Sequence, residues 1–330
     1  MRQGKIDIVV LWVDGSDPEF IREKQAVTGQ VSDLNQEIDG EQRYRDYGIF
    51  NYWFRMIEKH APWVNKIFLI TNGQKPEWLN LDHPKLRLVT HKEFMPLEYL
   101  PTFNSAAIEL NLHRIEELSE NYLYFNDDMY VIRDCKPSDF YKNNLPKLFA
   151  VYDAIVPWAP ITKTYLNNIE LIYRHFPNKT AMKTSPWKFF NYRYGLRLFK
   201  NLVLLPWGPT GYVNPHLPVP MKKSTLANLW QIEFETLDRT SKSQIRDYKV
   251  DVNQYICQCW QIESNQFYPI AHNIGKSIDF NRLAQLDRIF KDKHKKLLCV
   301  NDNVDLKEND LLRFKQILDE RYPEKSTFEL

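Results

Sequence analysis

The run Ile6-Asp7-Ile8-Val9-Val10-Leu11-Trp12-Val13 stops abruptly at Asp14-Gly15-Ser16-Asp17-Pro18. A run this continuously apolar offers water no polar face, so it reads as a strand buried on both sides that opens into a polar loop. Such a strand needs helices above and below it, and the chain supplies them at suitable intervals. Residues 46–60 carry Phe50, Trp53, Phe54 and Ile57 at helical spacing, and Pro62 closes that helix. Lys66–Thr71 reads as a second strand, ended by Asn72-Gly73, and Leu86–Thr90 as a third. Asn104 is placed to cap a helix whose Ile108, Leu112, Ile115 and Leu118 mark one face. Tyr122–Phe125 is a short strand running into Asn126-Asp127-Asp128, and Leu148–Tyr152 reads as another. Strands separated by helices predict an α/β fold, Rossmann-like, with a mainly parallel sheet and helices on both faces.

The stretch 154–220 is richer in Pro, Trp and Asn and is expected to form a helical, loop-rich insertion over the sheet edge. Residues 222–237 and 251–263 read as two further helices. Leu297–Val300 is expected as a last strand, leading to Asn301-Asp302-Asn303. A final amphipathic helix would carry Leu311, Lys315, Leu318 and Tyr322 on one stripe. No Gly/Ser linker divides the 330 residues, so one unit is expected. Its parts are an α/β half over 1–153, the insertion over 154–220, and a closing helical part over 221–330.

Several function classes are excluded by composition. Lys and Arg number 44 against 42 Asp and Glu, a net of +2, which lacks the basic excess of a duplex-binding protein. Only 10 residues are Gly, and neither G-x-G-x-x-G nor G-x-x-x-x-G-K-[ST] occurs. Phosphate binding must therefore use side chains, helix ends or a metal. The cysteines, Cys135, Cys257, Cys259 and Cys299, lack C-x-x-C spacing and read as inert reduced thiols. No apolar run approaches the roughly 20 residues that span a bilayer. The N-terminus enters its first strand without a small-residue cleavage site, so no signal peptide is expected and the location is expected to be cytoplasmic.

Three acidic clusters follow predicted strands: Asp14-Gly15-Ser16-Asp17, Asn126-Asp127-Asp128 and Asn301-Asp302-Asn303. In an open α/β sheet ligands bind beyond the carboxyl ends of the strands, so three such clusters predict one crevice. Carboxylates flanked by amides are hard oxygen donors suited to Mg²⁺ or Mn²⁺. The competing reading is that Asp and Asn simply terminate strands in turns. His216 lies between two prolines in Asn214-Pro215-His216-Leu217-Pro218, which stiffen the backbone around a titratable ring. Taken alone, that pattern favours a packed loop histidine. His113 divides between a structural and a site role, and Arg246 between a phosphate clamp and a surface ion pair.

Taken together these segments resemble the Stealth family of sugar-phosphate transferases. Its first region is similar to Ile6–Val9 and Trp12–Pro18, and its second to Arg43–Arg133. The second includes Phe54–Trp63, Ile70-Thr71-Asn72-Gly73-Gln74, Leu100–Ser105, Leu112-His113-Arg114 and Tyr124–Asp128. The third is matched more loosely by His216-Leu217-Pro218 and the Arg246 segment with Asp251, and the fourth by Cys299–Asn303. Two departures stand out. Leu11 replaces the usual Thr, and Tyr47-Gly48-Ile49-Phe50 stands where Asn-Gly-Glu-Leu is typical. Residues 47–50 are accordingly given no donor-binding role, and acceptor specificity is assigned to 154–212.

The resemblance implies a GT-A-like nucleotide-sugar fold and a transferase that moves a whole sugar 1-phosphate. The donor is a nucleotide-diphosphate sugar, and the acceptor a hydroxyl of a polysaccharide or lipid-linked oligosaccharide. It implies a divalent ion on Asp127, Asp128 and Asp302, His216 as base, Arg246 as charge-neutralising fork, and Asp14 ordering the donor. Gly15, Ser16, Asn72, Asn104, His113 and Asn126 would contact substrate. Nucleic acid is not expected as a partner, whereas peripheral contact with the inner membrane is. Two rivals remain: a metal-dependent glycosyltransferase releasing nucleoside diphosphate, and a non-catalytic carbohydrate-binding protein using its 46 aromatic residues.

Overall fold

The computed structural model describes residues 4–29, 40, 44–156, 159–302 and 306–330. Its strands in chain order are β1 (Ile6–Leu11), β2 (Ile67–Thr71), β3 (Leu86–Thr90), β4 (Asn121–Phe125), β5 (Met129–Val131) and β6 (Tyr141–Lys142). They continue with β7 (Leu145–Leu148), β8 (Val219–Lys222), β9 (Tyr268–Pro269), β10 (Gly275–Asp279) and β11 (Leu297–Asn301). The main sheet has the order β3-β2-β1-β4-β8. Its first four strands are parallel, and β8 closes the edge antiparallel to β4. The α/β class with a mainly parallel sheet is thus as expected.

Alternate residues of the central strands feed two separate cores, as a period of two demands. Val9, Phe68, Tyr122 and Tyr124 pack with helices Ser105–Asn111, Ile161–His175, Lys223–Ile232 and Tyr255–Glu263 on one face. Ile8, Val10, Leu69, Leu123 and Phe125 pack with helices Phe50–His60 and Glu308–Arg321 on the other. Both faces are covered, so β1 is apolar throughout except for Asp7. That carboxylate is buried and accepts from Asn65 Nδ2 (2.7 Å) and the Lys66 and Ser119 amides (3.1 and 2.7 Å).

Several expected elements differ. The last strand, β11, belongs to a second sheet of order β10-β11-β5, not to the main sheet. The strand expected over Leu148–Tyr152 is Leu145–Leu148 instead. The Ala150 and Tyr152 amides donate to the Tyr194 hydroxyl (3.3 Å) and Asn201 Oδ1 (2.7 Å), side-chain partners that replace a ladder. Asn104 does cap its helix by accepting from the Ala106 amide (3.1 Å), but the helix ends at Asn111. A 3-10 turn over Leu112–Arg114 follows, leaving Ile115 and Leu118 buried beyond it. The helix expected over 222–237 breaks at Glu233, whose backbone leaves helical values (φ −124°, ψ 39°). In the last helix Phe314, not Lys315, joins Leu318 in the core.

Candidate active site

The carboxyl ends of the parallel strands surround a cleft of about 870 Å³. Trp12 and Val13 reach it from β1, Asn72 from β2, His91 from β3, and Asn126, Asp127 and Asp128 from β4. Asp279 and Asn301-Asp302 reach it from the parallel pair β10 and β11. The two sheets meet there because the chain leaves β4, turns through Asn126-Asp127-Asp128 with the Met129 amide on the Asn126 carbonyl (3.2 Å), and enters β5. Cys299 of β11 then pairs with Met129, and the Val300 amide donates to the Asp128 carbonyl (3.0 Å). The third acidic cluster is thereby brought beside the second although it follows a strand of another sheet. Asn303 lies outside the described residues, as does Arg43.

Within this cleft Asp128 is the centre of charge. Its Oδ2 lies 3.9 Å from His216 Nε2, while its Oδ1 is buried without a hydrogen-bond partner. Burial raises its pKa, and burial plus the adjacent Asp128 charge pushes Asp127 up to about 8. Neighbouring carboxylates in a sheltered cleft resist simultaneous ionisation, which is the condition a divalent cation relieves. Asp302 is paired with Arg45 at 3.5 Å. Asp128, His216 and Cys299 also offer ligand atoms within 4.8 Å of one another, a softer donor set than the expected oxygens. Burial raises the pKa of the Cys299 thiol, which donates to Asn301 Oδ1 (3.3 Å). Of the three expected ligands, Asp127, Asp128 and Asp302 all line the cleft, but only Asp128 belongs to that close group; hard carboxylate oxygens are the donor type that suits Mg²⁺ or Mn²⁺.

His216 sits in a left-handed backbone conformation (φ 48°), stabilised by its amide donating to Asn214 Oδ1 (3.0 Å). The flanking prolines present its ring over Asp128. Arg246 enters from the opposite side of the chain order. Its Nη2 donates to Ser105 Oγ (3.0 Å), and its Nη1 is buried without a partner. The Arg246 loop is fixed through Asp251, whose Oδ2 accepts from Asn104 Nδ2 and the Asp247 amide (both 2.8 Å). Behind it lies Glu109, bonded by the Tyr124 hydroxyl (2.9 Å), its pKa raised by burial.

The other expected contact residues divide. Asn72 and Asn126 line the cleft. Asp14 does not: its Oδ1 accepts from the Ser16 amide (2.9 Å) and Ser16 Oγ (2.6 Å), and its own amide is clamped by Gln74 Oε1 (2.9 Å). Gly15 donates to the Tyr44 carbonyl (2.7 Å), and a Cβ there would stand 2.5 Å from that oxygen. Close backbone approach is what requires glycine. Asn104 is committed to its cap and to Asp251. His113 lies outside the cleft against Trp230, with ring centroids 5.8 Å apart, and burial pushes its pKa down to about 4. Residues not foreseen in the cleft wall include Glu109, Asn253, Gln254 and Asp279. Arg45 was missed because nothing local tells a paired arginine from a solvated one, and Tyr47, given no role, lies against Asp302.

The Stealth protein conserved region 2 matches residues 43–148, and conserved region 1 matches 4–32. The capsular polysaccharide phosphotransferase eps5J of Streptococcus thermophilus is 60% identical over 196 residues, 59% of this chain and 82% of that protein. The exopolysaccharide phosphotransferase cps2G of Lactiplantibacillus plantarum is 36% identical, covering 98% of this chain and 96% of its own. Among solved structures, the galactosyltransferase LgtC with donor and acceptor sugar analogs gives a TM-score of 0.42 at 10% identity over 95% of each chain, a remote likeness. The capsular polysaccharide phosphotransferase WcwK of Streptococcus pneumoniae is 39% identical across 98% of both chains, and with both conserved regions matched the chain belongs to the Stealth family.

Proposed function

We propose that the protein transfers a sugar 1-phosphate from a nucleoside-diphosphate sugar to a hydroxyl of a capsular or exopolysaccharide acceptor, releasing nucleoside monophosphate. One observation carries this reading. Two buried groups of opposite sign, Asp128 Oδ1 and Arg246 Nη1, face one cleft and have no partner in the protein. Buried polar atoms of this kind each lose about 1–3 kcal/mol unless paired. A diphosphate with its divalent ion satisfies both at once. Relatives matched over nearly their whole length are named capsular polysaccharide phosphotransferase and exopolysaccharide phosphotransferase, which supports the same bond class.

In the proposed reaction the acceptor oxygen attacks the phosphorus that bears the sugar, in line with the departing nucleotide phosphate. The phosphoanhydride bond breaks and the anomeric C–O bond is untouched, so anomeric configuration is retained. His216 takes the acceptor proton at Nε2, and Asp128 Oδ2 faces the imidazolium that results. Arg246 neutralises the phosphoryl oxygens with Nη1 while Ser105 holds Nη2. Mg²⁺ or Mn²⁺, held by Asp127, Asp128 and Asp302, would supply charge neutralisation for the diphosphate. Asp14 acts on the donor through the loop it braces with Ser16 and Gln74, rather than by facing the cleft.

The experiment is product analysis with a panel of sugar nucleotides and a polysaccharide acceptor. Nucleoside monophosphate with a new phosphodiester ³¹P signal is the expected outcome. Nucleoside diphosphate with a simple glycosidic product would replace this reading with the glycosyltransferase.

A further inference from the structure

Between Glu170 and Glu233 the chain has nine Lys and Arg residues and no Asp or Glu, although the whole protein is nearly neutral. The same segment carries ten of the exposed large apolar residues among those described, and six of them crowd into 196–207. Leu196 is 84% exposed, Val203 69% and Trp207 59%, with Phe199, Leu202 and Leu205 about half exposed. Monomeric proteins seldom expose such clusters without a partner for them.

The patch is built, not frayed. In the helix Leu198–Val203 the inward residue is Asn201, fully buried, whose Nδ2 donates to the Ala150 and Phe189 carbonyls (2.9 and 2.7 Å) and whose Oδ1 accepts from the Tyr152 amide. Anchored from within, the helix turns Phe199, Leu202 and Val203 outward together at i, i+3 and i+4. Tyr173, also exposed, packs so closely on Gly208 that a Cβ there would stand 2.2 Å from its ring, which sets Tyr173 beside Trp207. Arg193 and Arg197 interleave with these side chains, Arg193 covering the Tyr192 ring at 5.1 Å, while Lys200 is paired with Asp153 Oδ1 at 2.7 Å.

We infer that this face docks on an anionic lipid bilayer. Exposed aromatic and aliphatic side chains interleaved with cations, and no carboxylate in the segment, match the apolar boundary and negative headgroups of such a surface. A second copy fits poorly, since it would press the same cations together. Nucleic acid fits poorly too, because Leu196, Leu202, Val203 and Leu205 offer no stacking plane. The segment continues through Tyr212 into Asn214 and His216 at the cleft wall, so docking would hold the cleft near the bilayer surface. Vesicle binding is read without turnover, so it stands apart from the phosphotransfer reading.

The test is sedimentation of the full chain with phosphatidylcholine vesicles, with and without phosphatidylglycerol. Binding is expected to need the anionic lipid and to weaken as salt rises. Arg193→Gln with Arg197→Gln should lower partition about 30-fold at low salt, from roughly a factor of five per surface cation. Phe199→Ser with Trp207→Ser should abolish it while the thermal melt stays normal. Absence of binding to anionic vesicles at low salt overturns the inference, as does unchanged binding by the arginine pair variant. A concentration-dependent dimer without lipid, lost in the Phe199/Trp207 variant, would assign the patch to self-association and overturn it as well.

Discussion

Replacing Arg246 by Lys preserves charge and removes geometry, which makes it the sharpest probe of the cleft. In the protein one guanidinium nitrogen is committed to Ser105 Oγ at 3.0 Å and the other is buried and unpartnered. A fork serves wall and substrate together, whereas a single ammonium can take only one of those positions. The loss is then one charge-assisted hydrogen bond to the phosphoryl group, about 1.5–3 kcal/mol. That is roughly a 10- to 150-fold fall in kcat/KM, with kcat falling alongside if the bond tightens in the transition state. Arg246→Ala also removes the charge and should lose about 10³-fold. Stability should move little: the lost Ser105 contact of about 1 kcal/mol is offset by no longer holding an incompletely bonded guanidinium out of water. Initial rates of nucleotide release, measured beside thermal melts, read both quantities. Wild-type kcat/KM in Arg246→Lys would refute the reasoning, and so would a lowered melting temperature with normal turnover per folded molecule.

His216→Gln should cut kcat by about 10²–10⁴-fold with donor affinity little changed, since the ring serves the acceptor oxygen; wild-type kcat across the pH range would remove it as base. Chelation should abolish turnover and Mg²⁺ or Mn²⁺ restore it, while Asp128→Ala and Asp302→Ala should each remain folded and inactive; turnover in excess chelator by metal-free protein would exclude the carboxylate site. Burial pushes Asp251 from an ordinary 3.8 up to about 6, so the folded chain binds this proton more tightly than the unfolded one and the group destabilises the fold as pH rises from about 4 through 6. Asp251→Asn should therefore erase a pH-dependent difference of about 2–3 kcal/mol, leaving the variant relatively more stable at pH 7 than at pH 4; denaturant melts of both proteins at the two pH values check it, and parallel pH profiles would reject it.

Much of this was legible because burial leaves a local trace. β1, β2 and β4 are apolar on both faces, so they could be read without knowing their neighbours. The sheet β6-β7-β9 was not, since β6 and β9 have two residues each and carry no period to detect. Asp128 and Asp302 could be foreseen at strand ends, but not that the strands lie in different sheets. Asn104 and His113 sit in the matched motifs for another reason, one holding the Arg246 loop through Asp251 and the other packing against Trp230. A motif marks residues that must be present, and does not separate those that touch the ligand from those that hold its partners.

The turn Asn126-Asp127-Asp128 shows why fold and site cannot be pulled apart here. It is the only link in the chain order between the end of β4 and the start of β5, so it is also the seam between the parallel sheet and the second sheet. Both adjoining strands are fully buried, and the Asp128 carbonyl is itself used by the Val300 amide (3.0 Å). Backbone pairing on each side thus fixes the turn that carries the carboxylates. That leaves Asp128 Oδ1 buried and unpartnered, and leaves two adjacent acids with their ionisation suppressed. An arrangement of this kind costs the folded chain stability that a bound cation would return, and two sheets packed on either side are what keep the turn from relaxing to relieve it.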